Sequence, residues 1–186
     1  SDQEVNFLLA LLHLNHGDIG QATALFELTA SQPSLSADSH YHLASIADRQ
    51  GDITTAMGHY RQVRFGRNYL AAASRVTVLL SQRNNVATAR QYLRRLRKEQ
   101  PEQSVGLFQI ESNLLISSNQ PDQALSILTD GLSAFPNDVQ LLYARSMVAE
   151  RQDNFALAER DLRALIAQDN NNAIALNALG YTMILH

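Results

Sequence analysis

Gly51-Asp52-Ile53-Thr54-Thr55-Ala56 reproduces, 34 residues later, the stretch Gly17-Asp18-Ile19-Gly20-Gln21-Ala22. The alanine that closes it recurs as Ala22, Ala56, Ala89, Ala124 and Ala158, at intervals of 34, 33, 35 and 34 residues. Ahead of the last three stand Asn84-Asn85-Val86, Asn119-Gln120-Pro121 and Asp153-Asn154-Phe155. A period near 34 with no alternating strand pattern inside it predicts an all-α solenoid of stacked helical hairpins. The alanine has a packing reason. Two helices of a hairpin approach closely only where one of them is small, and a leucine there would overpack the crossing by about 1–3 kcal/mol.

Around each alanine the apolar residues keep a helical spacing. Ile19, Ala22, Phe26 and Thr29 lie at i, i+3, i+7 and i+10. The same stripe returns as Ile53, Ala56, Tyr60, Val63, then Val86, Ala89, Leu93, Leu96, and again as Phe155, Ala158, Leu162, Leu165. First helices are predicted near 3–15, 38–49, 71–82, 105–118, 139–151 and 173–184. Second helices are predicted near 19–32, 53–65, 86–99, 122–134 and 155–168. Leu8, Leu9, Leu11 and Leu12 mark a first helix expected to be nearly surrounded by neighbours. The whole chain, 1–186, reads as one array, with repeats at about 3–35, 37–69, 70–103, 104–137 and 138–171 and a half repeat at 172–186.

The turns have their own chemistry. Gly17 and Gly51 suit the left-handed conformation that ends a helix, and Asp18 and Asp52 suit the N-cap that follows. Pro121 is placed for a first helical turn, while Pro33, Pro101 and Pro136 stop second helices. The link from Gly66 to Tyr69 is irregular. Glu111 and Ser112 stand where other first helices favour Leu followed by Ala or Gly, and a bend is expected there.

Composition narrows the function. The chain has 186 residues, 45% of them hydrophobic, with no Trp and no Cys, so disulfides and thiolate chemistry are excluded. The net charge of -3 is banded. Residues 1–60 hold seven acids and one base, residues 61–98 ten bases and no acid, and residues 99–186 eleven acids and four bases. No signal peptide or membrane span is expected within these residues, the apolar run Phe7–Leu12 being too short for either. A start at Ser1 without Met and an end at His186 inside a repeat lead to the expectation of a piece of a longer protein.

The phased set Leu43-Ala44, Gly51-Asp52, Ala56 and Tyr60, with Leu179-Gly180, Pro101 and Pro136, resembles the tetratricopeptide repeat. The resemblance covers essentially the whole chain, as five repeats and the first helix of a sixth. Single repeats are degenerate, and the bulky aromatic early in the first helix is clear only at Phe108. The family implies a right-handed superhelix whose first helices line a concave groove for an extended or helical partner segment. Leu142-Tyr143-Ala144-Arg145, Ala158-Glu159-Arg160-Asp161-Leu162 and Ala175-Leu176-Asn177-Ala178-Leu179-Gly180-Tyr181-Thr182 are similar to a narrower group. These are the long exported tetratricopeptide lipoproteins of Gram-negative outer membranes. Some are adaptors for a periplasmic carboxyl-terminal processing protease that trims cell-wall hydrolases. That resemblance implies the periplasmic face of the outer membrane, with a cytoplasmic home as the alternative. The lipid-bearing cysteine of the group is absent from this chain.

By family phase the groove positions are Asp38, Tyr41, His42 and Ser45, then Ser74, Arg75 and Val78, then Gln109 and Asn113, then Tyr143 and Met147, then Asn177 and Tyr181. Tyr offers rigid amphipathic contact area and Asn can pair with a peptide backbone. Val78 and Met147 also read as simple packing residues. The family's clamp for a partner's terminal carboxylate is disfavoured, because its places hold Phe7, Leu11, His42, Ala71 and Arg75, of which Arg75 alone fits.

The basic band offers a rival surface. Arg90, Arg94, Arg97 and Lys98 share one second helix, Arg83 precedes it, and Arg61, Arg64 and Arg67 come from the hairpin before. These residues either dock an acidic protein or a second copy, or pair with acids in adjacent layers. Nucleic acid is not expected, since the chain is acidic overall and no helix-turn-helix or zinc pattern accompanies the patch. Nor are there phosphate-loop, dinucleotide or paired-histidine motifs, so no enzyme, metal or cofactor is expected. His40 and His42, two apart, point to different faces of a helix. The last helix lacks a second helix to cover Leu176, Leu179 and Met183, which leads to the expectation of fraying or a homodimer through that stripe.

Overall fold

A computed structural model describes residues 2–83 and 85–185. Every regular element among them is helical: α1 (Asp2–His16), α2 (Ile19–Ala30), α3 (Ser36–Arg49), α4 (Ile53–Tyr60), α5 (Tyr69–Arg83), α6 (Val86–Glu99), a 3-10 turn at Pro101–Gln103, α7 (Ser104–Ser117), α8 (Pro121–Ala134), α9 (Val139–Arg151), α10 (Phe155–Gln168) and α11 (Ala173–Leu185). None of the described helices is long and apolar enough to cross a membrane. The helices form two compact units, Ser1–Asn85 and Val86–His186. In each, consecutive helices pack as antiparallel hairpins that stack on the next, the repeat architecture of a helical-hairpin solenoid.

The phased alanines occupy the crossings. Ala22, Ala56, Ala89, Ala124 and Ala158 are all 0% exposed. In the first unit Phe26 is enclosed among Phe7, Ala10, Ala22, Leu43 and Ile46, and meets the Phe7 ring edge-on at 5.7 Å. In the second unit the core runs as a stripe from Leu115 through Leu128, Leu141 and Leu162 to Leu179. Gly131 marks its tightest approach: a Cβ there would lie 3.1 Å from both Leu141 Cδ1 and the Phe108 ring.

The turns use one repeated device. Gly17, Gly51, Asn119 and Asp153 all have positive φ, between 56° and 85°. The two non-glycines are Asn and Asp, whose short polar side chains tolerate that region best. The turn expected at Asn84 lies outside the described residues. Asp52 caps α4 by accepting from the Thr55 amide at 3.1 Å. Asp18 makes no side-chain cap on α2; its carboxylate faces His13 Nδ1 at 3.2 Å.

Besides the missing cap at Asp18, three features depart from the sequence expectations. α4 ends at Tyr60 instead of continuing to 65. Short backbone bonds from Gln62 to His59 and from Val63 to Tyr60 tighten the chain, Val63 turns inward, and Gly66 takes positive φ. On α1, Leu8, Leu9 and Leu12 are not enclosed but 64%, 40% and 51% exposed. The buried face of that helix is instead Phe7 and Ala10, with Leu11 and Leu14 packed beside them.

The third departure is Glu111, which is fully buried. Its two carboxylate oxygens accept from Arg90 Nε and Arg97 Nη1, each at 2.7 Å. Arg90 continues to Gln123 Oε1 at 2.6 Å, and the Arg97 guanidinium lies over the Phe108 ring at 4.4 Å. One carboxylate thus ties α6 and α7 together, and Arg90 extends the tie to α8. A buried carboxylate lacking such partners would be strongly disfavoured. Replacing Glu111 by Ala leaves two guanidiniums facing an apolar gap. The variant should lose about 3–5 kcal/mol in denaturant unfolding of the second unit, whereas truncating the exposed Arg94 on the same helix should leave the midpoint nearly unchanged.

Candidate functional site

In the first unit α3 presents Asp38, Tyr41, His42 and Ser45, all half-buried, and α5 presents Arg75. The periodicity of α3 turns Leu43, Ala44, Ile46 and Ala47 inward and leaves these side chains at the rim of the core. His42 stacks on the Phe26 ring, centroids 4.8 Å apart and nearly parallel. Tyr41 meets His42 edge-on at 5.7 Å and Tyr60 at 6.0 Å. The result is a line of aromatic rings fixed from below by the core.

Arg75 joins that line through an acid the sequence did not single out. Its Nε donates to one Asp48 oxygen and its Nη2 to the other at 2.8 Å, a bidentate fork from α5 to α3. Tyr60 Oη donates to the same carboxylate at 3.4 Å. The Arg75 hydrogen bond holds the Asp48 carboxyl below the usual range, against the opposing effect of its burial. Burial, with Asp48 close by, pushes the Tyr60 phenol up to about 12. Asp38 is also engaged: it accepts from Asn68 Nδ2 at 2.9 Å and faces Arg67 at 3.6 Å. Ser74 is half-buried and Val78 is exposed on the same helix as Arg75.

In the second unit Gln109 and Met147 are half-buried, and Asn113, Tyr143, Asn177 and Tyr181 are exposed, on α7, α9 and α11. The structure brings Tyr41 and His42 into contact and links Arg75 to Tyr41 through Asp48 and Tyr60. It leaves the polar residues of the second unit spread along three successive first helices.

The basic band divides in two. Arg61, Arg64, Arg67, Arg83, Arg94 and Lys98 are exposed. Arg83 reaches Thr54 at 3.4 Å, while Arg95 faces Glu99 at 3.6 Å and lies over the Tyr92 ring. Arg90 and Arg97 are committed to Glu111 inside the second unit. A comparable pair went unread in the sequence. Arg145 and Asp161, both buried, form a two-pronged bridge between α9 and α10 at 2.6 and 2.8 Å, and Arg145 also donates to Thr129 Oγ1. Thr129, Ser133, Pro136 and Asn137 line a cavity of about 370 Å³ beside it. The available signal was a pair of opposite charges at positions that the repeat period assigns to the core.

His40 and His59 meet Nδ1 to Nδ1 at 2.9 Å across the α3–α4 hairpin. One nitrogen must carry the proton and the other accept it, so the pair cannot be doubly protonated in place. Burial lowers both pKa values; the neighbouring ring lowers His40 further, while Glu27 opposes the fall at His59. Among the described residues no group of three or more His, Cys, Asp or Glu is arranged to hold a metal.

A tetratricopeptide-repeat family model matches residues 7–69 and 111–173. A TPR repeat-containing protein of Pseudomonas aeruginosa is 40% identical over 144 residues, which are 77% of this chain and 24% of that protein. The chain thus spans about a quarter of that relative's length. Among solved structures, a tetratricopeptide repeat protein from Parabacteroides merdae aligns with a TM-score of 0.58 at 16% identity, over 98% of this chain and 72% of that one. YrrB, a TPR protein with an unusual peptide-binding site, aligns with a TM-score of 0.51 at 18% identity, over 93% of this chain and 89% of that one.

The histidine geometry sets a pH response. Because the folded-state pKa values of His40, His42 and His59 lie below the ordinary value of about 6.5, the unfolded chain takes up protons first as pH falls. The stabilisation is whole above about pH 6.5 and declines below it. NMR titration of the imidazoles should give midpoints below 6.5 for His40 and His59, and replacing both by Gln should flatten the loss of first-unit stability between neutral pH and pH 5.

Proposed function

From a chain that belongs to the tetratricopeptide repeat family, whose general role is non-enzymatic scaffolding of protein–protein interactions, we propose an adaptor that holds a partner polypeptide against its first helices. One observation carries the choice of surface. Tyr41 and His42 form a ring pair seated on Phe26, with Arg75 held beside it by Asp48 and Tyr60. Rings and a guanidinium that are already fixed lose little conformational freedom when a partner binds. On the first unit the segment sought is a peptide with an apolar or aromatic side chain for the rings; on the second unit, Gln109, Asn113 and Asn177 are the groups offered to a peptide backbone. Tyr143 and Tyr181 extend the same chemistry. YrrB, with its peptide-binding site, supports a peptide ligand by analogy of fold only.

The proposed setting is the bacterial envelope, with a periplasmic protease or cell-wall enzyme as partner. The resemblance of 142–145, 158–162 and 175–182 to exported adaptor lipoproteins supports it. We place one array over 1–186, and a homodimer contact on α11 through Leu176 and Met183. Capture from source-cell extract on the immobilised chain identifies the partner. Replacing Tyr41 and Tyr143 by Ala should weaken its binding roughly tenfold or more, with Arg75 left in place because its removal would strip Asp48 of its partner. Unchanged affinity would rule the first-helix surface out.

A second reading rests on the exposed part of the basic band, where Arg61, Arg94 and Lys98 stand exposed in a segment, 61–98, that holds no acid of its own. Docking there would be steered by charge and screened by salt. Raising ionic strength should leave ring-mediated binding nearly unchanged. A steep loss with salt, removed by charge reversal at Arg94 and Lys98, would favour this second surface.

A further inference from the structure

We propose that the cavity between α8, α9 and α10 is a carboxylate-binding site, taking the acidic side chain of a glutamate presented by a partner polypeptide. It lies wholly within the second unit and goes beyond the first-helix surface. Leu142 and Arg145 line it from α9, whereas Tyr143 and Met147 lie on another face of that helix.

The opening falls where α8 is short-chained and its counterparts are long. Five residues after the phased alanine, the other second helices carry Glu27, Arg61, Arg94 and Arg163. At that place α8 carries Thr129, with Ser133 one turn further on. These short side chains border a space of about 370 Å³, open to solvent and within the size range of ligand clefts. Leu132, Pro136, Leu142 and Ala164 give it an apolar wall.

The charge of the cavity is unbalanced. Two guanidiniums meet one carboxylate, that of Asp161. Arg145 takes both Asp161 oxygens, at 2.6 and 2.8 Å, and Arg160 Nε lies 3.5 Å from one of them. One positive charge is left over. The Arg145 side chain is only 9% exposed, so its field is poorly screened by water and salt. Three of its N–H groups serve Asp161 and Thr129, and a guanidinium fork has others to offer a ligand. Arg160, with its side chain 66% exposed, brings the second guanidinium to the mouth. Asp130, exposed on the same stretch of α8, does not line the opening. Asp138 and Glu159 are engaged by the Leu141 amide and by Arg163. A carboxylate matches the planar fork of a guanidinium, and the methylenes of a glutamate suit the apolar wall. The bridge to Asp161 and Thr129 holds Arg145 in place before any ligand arrives, so little ordering is left to be done on binding.

NMR titration of the whole chain tests this. The probe is glutamate blocked as its acetyl amide, with blocked glutamine as the neutral isostere and glutarate as the free carboxylate. Blocked glutamate should shift the Thr129 and Ser133 amides and the Arg145 Nε–H saturably at millimolar concentration, and blocked glutamine should bind about tenfold more weakly. Arg160→Gln should weaken blocked glutamate severalfold. Thr129→Arg, which restores the long side chain of the other second helices, should abolish its binding. Both positions are exposed, and unchanged helical circular dichroism confirms folding. Tyr143→Ala should leave the titration unchanged, which separates this site from the first-helix surface. Saturable shifts with glutarate but none with blocked glutamate would overturn the partner side chain as occupant. Equal binding of blocked glutamine, no saturation with either carboxylate, or binding undiminished in both variants would overturn the site itself.

Discussion

Everything in this chain depends on how closely two helices of a hairpin can approach. A side chain of one methyl group at each crossing sets that distance, and its five occurrences are completely buried. Larger residues then fill the space on either side: Phe26 between Phe7 and Leu43, and Leu128, Leu141 and Leu162 in the second unit. Helices held this close leave no room for loosely placed polar groups between them. Thr29 and Ser39, two polar residues that do enter, satisfy each other through a hydrogen bond of 2.8 Å between α2 and α3.

Two buried ion pairs extend this rule to full charges. Glu111 between Arg90 and Arg97, and Asp161 against Arg145, occupy volume that leucines fill elsewhere. Such pairs do not exceed a well-packed hydrophobic substitute in stability, because desolvation offsets much of the Coulomb gain. They are, however, directional. Arg145 reaches Asp161 with two prongs and Thr129 with a third bond, which fixes α8, α9 and α10 at one rotation. Apolar contacts alone would tolerate slippage along the stripe.

The fold was legible because its cause repeats. Alanine phase, stripe spacing and turn chemistry each recur, so that one degenerate repeat is corrected by its neighbours. The early end of α4 was not legible, because Val63 continues the stripe and hides the break that the Gly66 turn imposes. The exposure of Leu8, Leu9 and Leu12 was misread since four leucines in five residues look the same whether or not a neighbour covers them. At the candidate site, phase picked out Tyr41, His42 and Arg75. It could not show that Arg75 would be held by Asp48, since that contact joins different hairpins, 27 residues apart in sequence.

The acidic and basic bands look in the sequence like two surfaces of opposite field, yet much of the charge is spent between helices. Asp38 meets Arg67, Asp48 meets Arg75, and Glu111 takes both Arg90 and Arg97. Hairpins that resemble one another can dock in the wrong order while a repeat protein folds, since each offers nearly the same apolar stripe to any neighbour. Distinct charges at the joints break that degeneracy. A hairpin inserted one place out of sequence would leave Asp48 without its guanidinium, or Arg90 and Arg97 without their carboxylate, and the misordered stack would be discarded in favour of the native order. The banding therefore acts as an address label written between near-identical parts.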